Sequence, residues 1–184
     1  MNALIELGVK AMSSPLVQKN DVAVHSVALD LDFAEFDINT PDRICAALAQ
    51  FAHETGGWRW LRELGGSNYF KMYEGRKSLG NTQPGDGARF RGRGYIQLTG
   101  RANYEQMARW FPEIPLMEHP ECAEQPKYAA LFSCRWWQSR GLNELADARK
   151  FQSITRRING GMNGYADRKA RYDALLKLAT DSDE

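Results

Sequence analysis

Residues 40–58 read Thr40-Pro41-Asp42-Arg43-Ile44-Cys45-Ala46-Ala47-Leu48-Ala49-Gln50-Phe51-Ala52-His53-Glu54-Thr55-Gly56-Gly57-Trp58. Thr40-Pro41-Asp42 is a helix start: a hydroxyl cap, a proline at the first helical position, where an N–H would have no partner, and an acid facing the helix dipole. Ile44, Leu48, Phe51 and Ala52 recur at helical spacing, and Gly56 or Gly57 ends the run. The stretch predicts a buried helix with Glu54 in its last turn. An ionisable carboxylate rarely sits beside a core unless something there uses it. A second acid, Glu63, follows among glycines and aromatics.

Outward from this helix, residues 1–14 are amphipathic and carry Glu6 and Lys10. They lack the uninterrupted apolar core and small-residue cleavage site of a secretory signal, so folding in the cytoplasm is expected. Residues 16–38 are apolar and predict helix. Residues 64–94 hold Gly65, Gly66, Gly75, Gly80, Gly85, Gly87, Gly92 and Gly94 and predict a surface excursion. Residues 95–99 predict a short strand that puts Gln97 and Thr99 on the side of Tyr95. Helices are expected at 101–111, ending at Pro112; at 127–140, stopped by Gly141; at 151–158, ended by Asn159-Gly160-Gly161; and at 165–179. The acidic tail 181–184 is expected to fray. The expected architecture is mainly α, one domain over residues 1–184, with a glycine-rich loop and short-strand region lining a cleft.

Composition bounds the function. The chain has 184 residues, 43% apolar and 26% charged, as in an ordinary globular protein. Its net charge of +1 gives no basic field for a nucleic acid, and the Arg/Gly mixture at 84–100 is short and unrepeated. No apolar run approaches the ~20 residues of a membrane span, so no stable membrane insertion is expected. Cys45, Cys122 and Cys134 are odd in number and spaced unlike a metal motif. Reduced, buried thiols are expected, with a Cys122–Cys134 disulfide as the alternative. His25, His53 and His119 are scattered, and no cluster has zinc or calcium spacing.

The carboxylate pair suggests glycosidic hydrolysis, which needs a protonated acid for the leaving oxygen and an ionised base or nucleophile across the sugar. Glu54, against Trp58 and an apolar helix, has the dry surroundings that favour a protonated carboxyl, and Glu63 the wetter ones. The bland alternative is two solvated surface acids. Gln97 and Thr99 could hold water or sugar hydroxyls, or form a polar strand face. Trp58, Trp60, Tyr69 and Tyr73 are candidates for stacking on sugar rings; Trp110, Trp136 and Trp137 read as core. His53 reads as a packing or hydrogen-bonding residue.

Four segments, FAHETGGW (51–58), RELGGSNYF (62–70), PGDGARFRGRGYIQLTGRANY (84–104) and RINGGMNGYADRKARY (157–172), resemble the family-19 glycoside hydrolases, the plant-type chitinases and the lysozyme-like endolysins of bacteriophages. The resemblance implies a lysozyme-like α+β fold and an inverting hydrolysis that uses no cofactor or metal. It implies Glu54 as general acid and Glu63 as general base, with Glu74 the alternative base. It further implies water and substrate contacts from Gln97 and Thr99, a sugar-binding Asn103, and Asn159 and Arg168 in the catalytic network. His53 and Tyr69 join the expected binding set, and Arg168 is expected beside Glu63. Ala102 stands where many chitinases carry tyrosine. The lack of paired cysteines, of a chitin-binding domain and of a leader resembles a phage or prophage endolysin. Such an enzyme is a monomer that waits in the host cytoplasm, reaches peptidoglycan with a holin-type partner and lyses the cell. A chitinase is the alternative; a non-catalytic glycan-binding protein on the same scaffold, or a lytic transglycosylase, fits two acids less well.

Overall fold

The computed structural model describes residues 1–181. The chain is mainly α. Its helices are α1 (Ala3–Met12), α2 (Lys19–Glu35), α3 (Pro41–Glu54), α4 (Ser67–Phe70), α5 (Asp86–Arg89), α6 (Arg101–Trp110), α7 (Pro126–Ser139), α8 (Leu142–Asp147), α9 (Phe151–Asn159) and α10 (Tyr165–Asp181). Short 3-10 segments lie at Lys71–Tyr73, Lys77–Leu79 and Pro120–Glu124. Residues 182–184 of the expected frayed tail lie outside the described residues.

The helix read first is the axis of the molecule. Thr40 Oγ1 accepts the Arg43 N–H at 3.3 Å, closing the cap that the sequence announces. Every residue from Ile44 to Ala52 is buried, so α3 is covered all round: by α1, α8 and α10. Side chains such as Leu48 and Phe51 each contribute about 1.5–3 kcal/mol by leaving water. Gly8 is what lets α1 come so close. A Cβ there would lie 2.6 Å from Leu48 Cδ1 and 3.0 Å from Leu175 Cδ2. A second, smaller core gathers Phe90, Leu98, Tyr104, Met107, Leu116 and Phe132 around α6. All three cysteines are free and buried.

Three expectations need correction. Residues 95–99 form no strand. Arg93 and Leu98 exchange hydrogen bonds (2.8 and 3.2 Å) across a turn at 94–97, in which Gly94 has φ 74° and Gln97 φ 54°. Tyr95 is driven into the main core, against Phe51 and Trp58 and 2.7 Å from His25 Nδ1, while Gln97 stays partly exposed, so Tyr95 and Gln97 do not share a face. The glycine-rich excursion is not merely surface. Asp86, 1% exposed, holds Arg101 with two bonds of 2.6 and 2.8 Å and accepts the Thr82 and Gln83 N–H groups. Phe70, Asn81 and Phe90 are buried with it. The helix α8 was not anticipated.

Candidate active site

The end of α3 brings Glu54 to the wall of a cavity of about 490 Å³. Gln97, Thr99, Asn103 and Asn159 line the same cavity, with Tyr73, Arg76, Ser78 and Trp136. Residues far apart in sequence meet here because α3, α6 and α9 all present an end or first turn to it.

Glu54 is not set among apolar groups, as expected, but under a guanidinium. Its Oε1 accepts Arg168 Nη2 at 2.5 Å, and its side chain keeps 17% exposure. Arg168 is 1% exposed and sits on α10; its Nη1 donates to Gln50 Oε1 at 2.6 Å and its Nε to Asn163 O at 3.3 Å. Gln50 Nε2 in turn donates to Thr155 Oγ1 at 2.8 Å. A buried cation is tolerated when it is paired and hydrogen-bonded, and this one pairs with Glu54 and donates from all three of its nitrogens. The same contacts correct another expectation: Arg168 serves Glu54, not Glu63. Gln50 was missed, although a glutamine inside an apolar helical run, one turn before Glu54, is a signal for it.

Glu63 is held differently. Its Oε1 accepts the Tyr73 hydroxyl at 2.8 Å and the Tyr69 hydroxyl at 3.1 Å; its Oε2 accepts the Gly92 N–H at 3.0 Å. Its own N–H donates to Gly92 O at 2.8 Å. Burial, then the bond to Glu63, pushes the Tyr73 phenol well above its ordinary value; for Tyr69 the bond to Glu63 is the main cause of a rise. Both phenols therefore stay protonated donors across the neutral range. Gly92 marks a point where three oxygens converge. A Cβ on it would lie 2.8 Å from Gln97 Oε1, 3.2 Å from Thr99 Oγ1 and 3.3 Å from Glu63 Oε2. Gln97 and Thr99 are braced in turn, Gln97 Nε2 on Gly94 O and Thr99 Oγ1 on Gln97 O. Asn103 Nδ2 donates to Thr99 O at 2.7 Å.

Other candidates fall elsewhere. Glu74 accepts the Gly85 and Gly87 N–H groups at 3.0 and 2.9 Å, one on each oxygen, and so fastens the start of α5. His53 does not line the cavity; its Nδ1 lies 2.6 Å from Asp167 Oδ2, and a Cβ on Gly164 would strike its ring at 2.3 Å. Partial burial pushes the Asp167 carboxyl up, but its bonds to Arg171 and His53 outweigh that and hold it below the usual carboxylate range. Trp58 is a core residue, 2% exposed, with Nε1 on Val9 O. Trp60 is 40% exposed under the Arg59 guanidinium and lines a different cavity. Trp136, expected in the core, is only half-buried and lines the cavity of Glu54. Among the described residues no three His, Cys, Asp or Glu side chains are grouped to hold a metal ion.

No family model matches the chain. A glycosyl hydrolase family 19 domain-containing protein of Haemophilus influenzae is 31% identical over 164 residues, covering 74% of this chain and 78% of that protein. Two endochitinases of Arabidopsis thaliana are 31% and 30% identical, over 64% of this chain but only 39% of their own length. Among solved structures, chitinase C from Streptomyces griseus superposes with a TM-score of 0.67 at 21% identity, over 97% of this chain and 78% of that one. A class IV chitinase from Zea mays gives 0.68 at 18% identity, over 96% and 91%. These structures share the fold; the Haemophilus protein, matched over most of both lengths, carries the kinship further. The chain belongs to glycoside hydrolase family 19, and it is a glycosidase on that family's mainly helical, lysozyme-like fold.

Proposed function

We propose that the chain is an endolysin-type hydrolase that cuts β-1,4 bonds of bacterial peptidoglycan with inversion. Glu54 is the general acid and Glu63 the general base. The observation that carries this reading is the convergence of Glu63, Gln97 and Thr99 oxygens in front of Gly92. A water hydrogen-bonded to Glu63 Oε2 and Gln97 Oε1 turns both protons toward acceptors and leaves a lone pair for the anomeric carbon. Glu63 takes one proton as the new C–O bond forms; Glu54 gives its proton to the leaving oxygen as the old bond breaks. Arg168 fixes one oxygen of Glu54, and the other has no hydrogen bond among the described residues. Glu74, with both oxygens committed to backbone N–H groups, is the weaker candidate for the base.

Three buried free thiols suit a protein that folds without disulfides in a reducing compartment, in keeping with an enzyme that waits in the host cytoplasm. It then acts on the cell wall as a monomer, after a holin-type partner opens the inner membrane, and lyses the host. Chitin is the second reading, favoured by the endochitinases and chitinases among the relatives and structural neighbours. Wild type, Glu54→Gln and Glu63→Gln, assayed side by side on outer-membrane-stripped Gram-negative cells and on glycol chitin, test both readings. Turnover should fall by ~10²–10⁴ in either variant with the fold retained. A folded variant keeping more than about a tenth of normal activity contradicts its assignment, and a wild type active on glycol chitin alone replaces the peptidoglycan reading with the chitin one.

A further inference from the structure

Among the described residues, several arginines near the cavity are tied to partners in the fold, and Arg76, the arginine that lines it, is not. Arg168 holds Glu54 and Gln50; Arg93 holds Glu124 and the Tyr104 hydroxyl; Arg101 holds Asp86; Arg91 bonds Ala88 O and lies 4.3 Å over the Phe70 ring. Arg76 lines the cavity, is exposed, and its side chain makes no hydrogen bond, ion pair or ring contact among the described residues. Its backbone is nonetheless fixed: its carbonyl accepts the Leu79 and Asn81 N–H groups at 2.9 and 3.3 Å. The head is free while its root is anchored.

The surrounding charge has the same sign. Residues 67–80 carry Lys71, Arg76 and Lys77 against Glu74, three basic groups to one acid, a net of +2 in a chain whose whole charge is +1. Lys71 and Lys77 are exposed and form no ion pair among the described residues, and both oxygens of Glu74 are taken by backbone N–H groups. A neutral polysaccharide gives a guanidinium nothing that water does not. A carboxylate gives it two parallel charge-assisted hydrogen bonds.

We infer that Arg76 is a specificity-determining residue that grips a carboxylate carried by the glycan, so that the cleft favours acid-substituted β-1,4 polymers over neutral ones. The inference rests on the glycan-hydrolase reading of the cavity and deepens it. Peptidoglycan fits through the acidic peptide on its lactyl ether.

The test measures kcat/KM for wild type, Arg76→Gln and Arg76→Lys on two matched pairs. One pair is carboxymethyl chitin and glycol chitin; the other is peptidoglycan and the same peptidoglycan with its carboxyls amidated. For Arg76→Gln, the ratio of the charged substrate to its neutral match should fall about five- to tenfold, mostly in KM, as expected for a charge-assisted bond weakened by exposure. Arg76→Lys should keep part of the ratio. An unchanged ratio in whichever pair is cleaved, or an equal fall on both members, overturns the inference. A wild type that spares peptidoglycan but shows an Arg76-dependent ratio on the chitins overturns the peptidoglycan reading alone.

Discussion

Glu54 ends a helix buried on every side and lies under a guanidinium that is itself 1% exposed, whereas Glu63 lies on an irregular segment and is held by two phenols and one backbone N–H. The support of Glu54 is the framework: Thr155 of α9, Gln50 of α3 and Arg168 of α10 form one chain of hydrogen bonds through the core. The support of Glu63 comes from outside the helical framework, from residues 69, 73 and 92 around it. Disturbing the Glu54 side should therefore cost stability and activity together. Disturbing the Glu63 side should cost activity with the fold left nearly intact.

The largest effect is expected from Arg168→Ala. It leaves Gln50 and Glu54 without their shared donor, and breaking a buried pair costs about 3–5 kcal/mol. Glu54 keeps 17% exposure through the cavity, so the lower end, about 3 kcal/mol, is expected. Thermal unfolding and turnover should both fall sharply, while Arg149→Ala, whose side chain is 73% exposed, changes neither. An Arg168→Ala protein with wild-type stability would dissolve the contrast between the two sides.

Gly92→Ala probes the Glu63 side. Gly92 does not have a positive φ, so alanine is accepted by the backbone, yet its methyl enters the space between Gln97, Thr99 and Glu63. Turnover should drop by roughly 10–100-fold, part of the ~10²–10⁴ of a positioned general base because Glu63 itself remains, with a melting temperature near wild type. Activity within twofold of wild type would show that this space is not used. Tyr73→Phe should be milder. One hydrogen bond to a carboxylate is worth about 1.5–3 kcal/mol, but Tyr69 and Gly92 still hold Glu63. A several-fold loss of kcat with little change in stability is expected, and a loss as large as that of Gly92→Ala would mean Tyr73 does more than hold Glu63.

The smallest effect lies away from both glutamates. Burial pushes the Asp32 carboxyl from 3.8 up to about 7, and Glu35 adds to the rise. The folded protein thus keeps a proton that the unfolded chain loses, so stability is fully present below pH 3.8 and declines as pH rises to about 7. Asp32→Asn cannot ionise. Its melting temperature should exceed that of wild type at pH 8 by about 2–4 °C, and the gain should vanish toward pH 4. His25, lowered to about 4 by burial, slopes the other way in both proteins and cancels in the difference. A gain independent of pH would point to packing instead.

What the sequence made legible follows the same division. The cap at Thr40, the proline at 41, the apolar spacing and the glycine stop all agree, so α3 and the position of Glu54 could be read directly. The partner of Glu54 could not, because Arg168 is 114 positions away and only the packing of α10 on α3 joins them. On the other side, Glu63 and Glu74 look alike in sequence. Only geometry shows that Glu74 spends its oxygens on Gly85 and Gly87. The alternation at 95–99 misled because Gln97 adopts a left-handed backbone conformation, which spacing does not reveal. The apolar pattern of its helix places Trp136 in the core, yet its partly buried ring lines the cavity.

In the proposed mechanism Glu63 directs a water, from the seat at Gly92, onto the face of the sugar opposite Glu54. NMR of the first-formed product, recorded before mutarotation, tests it most directly. Hydrolysis of a β-1,4-linked oligosaccharide by the wild type should release the α-anomer first. A first-formed β-anomer would mean retention through a covalent intermediate and would contradict the assignment of Glu63 as a water-activating base.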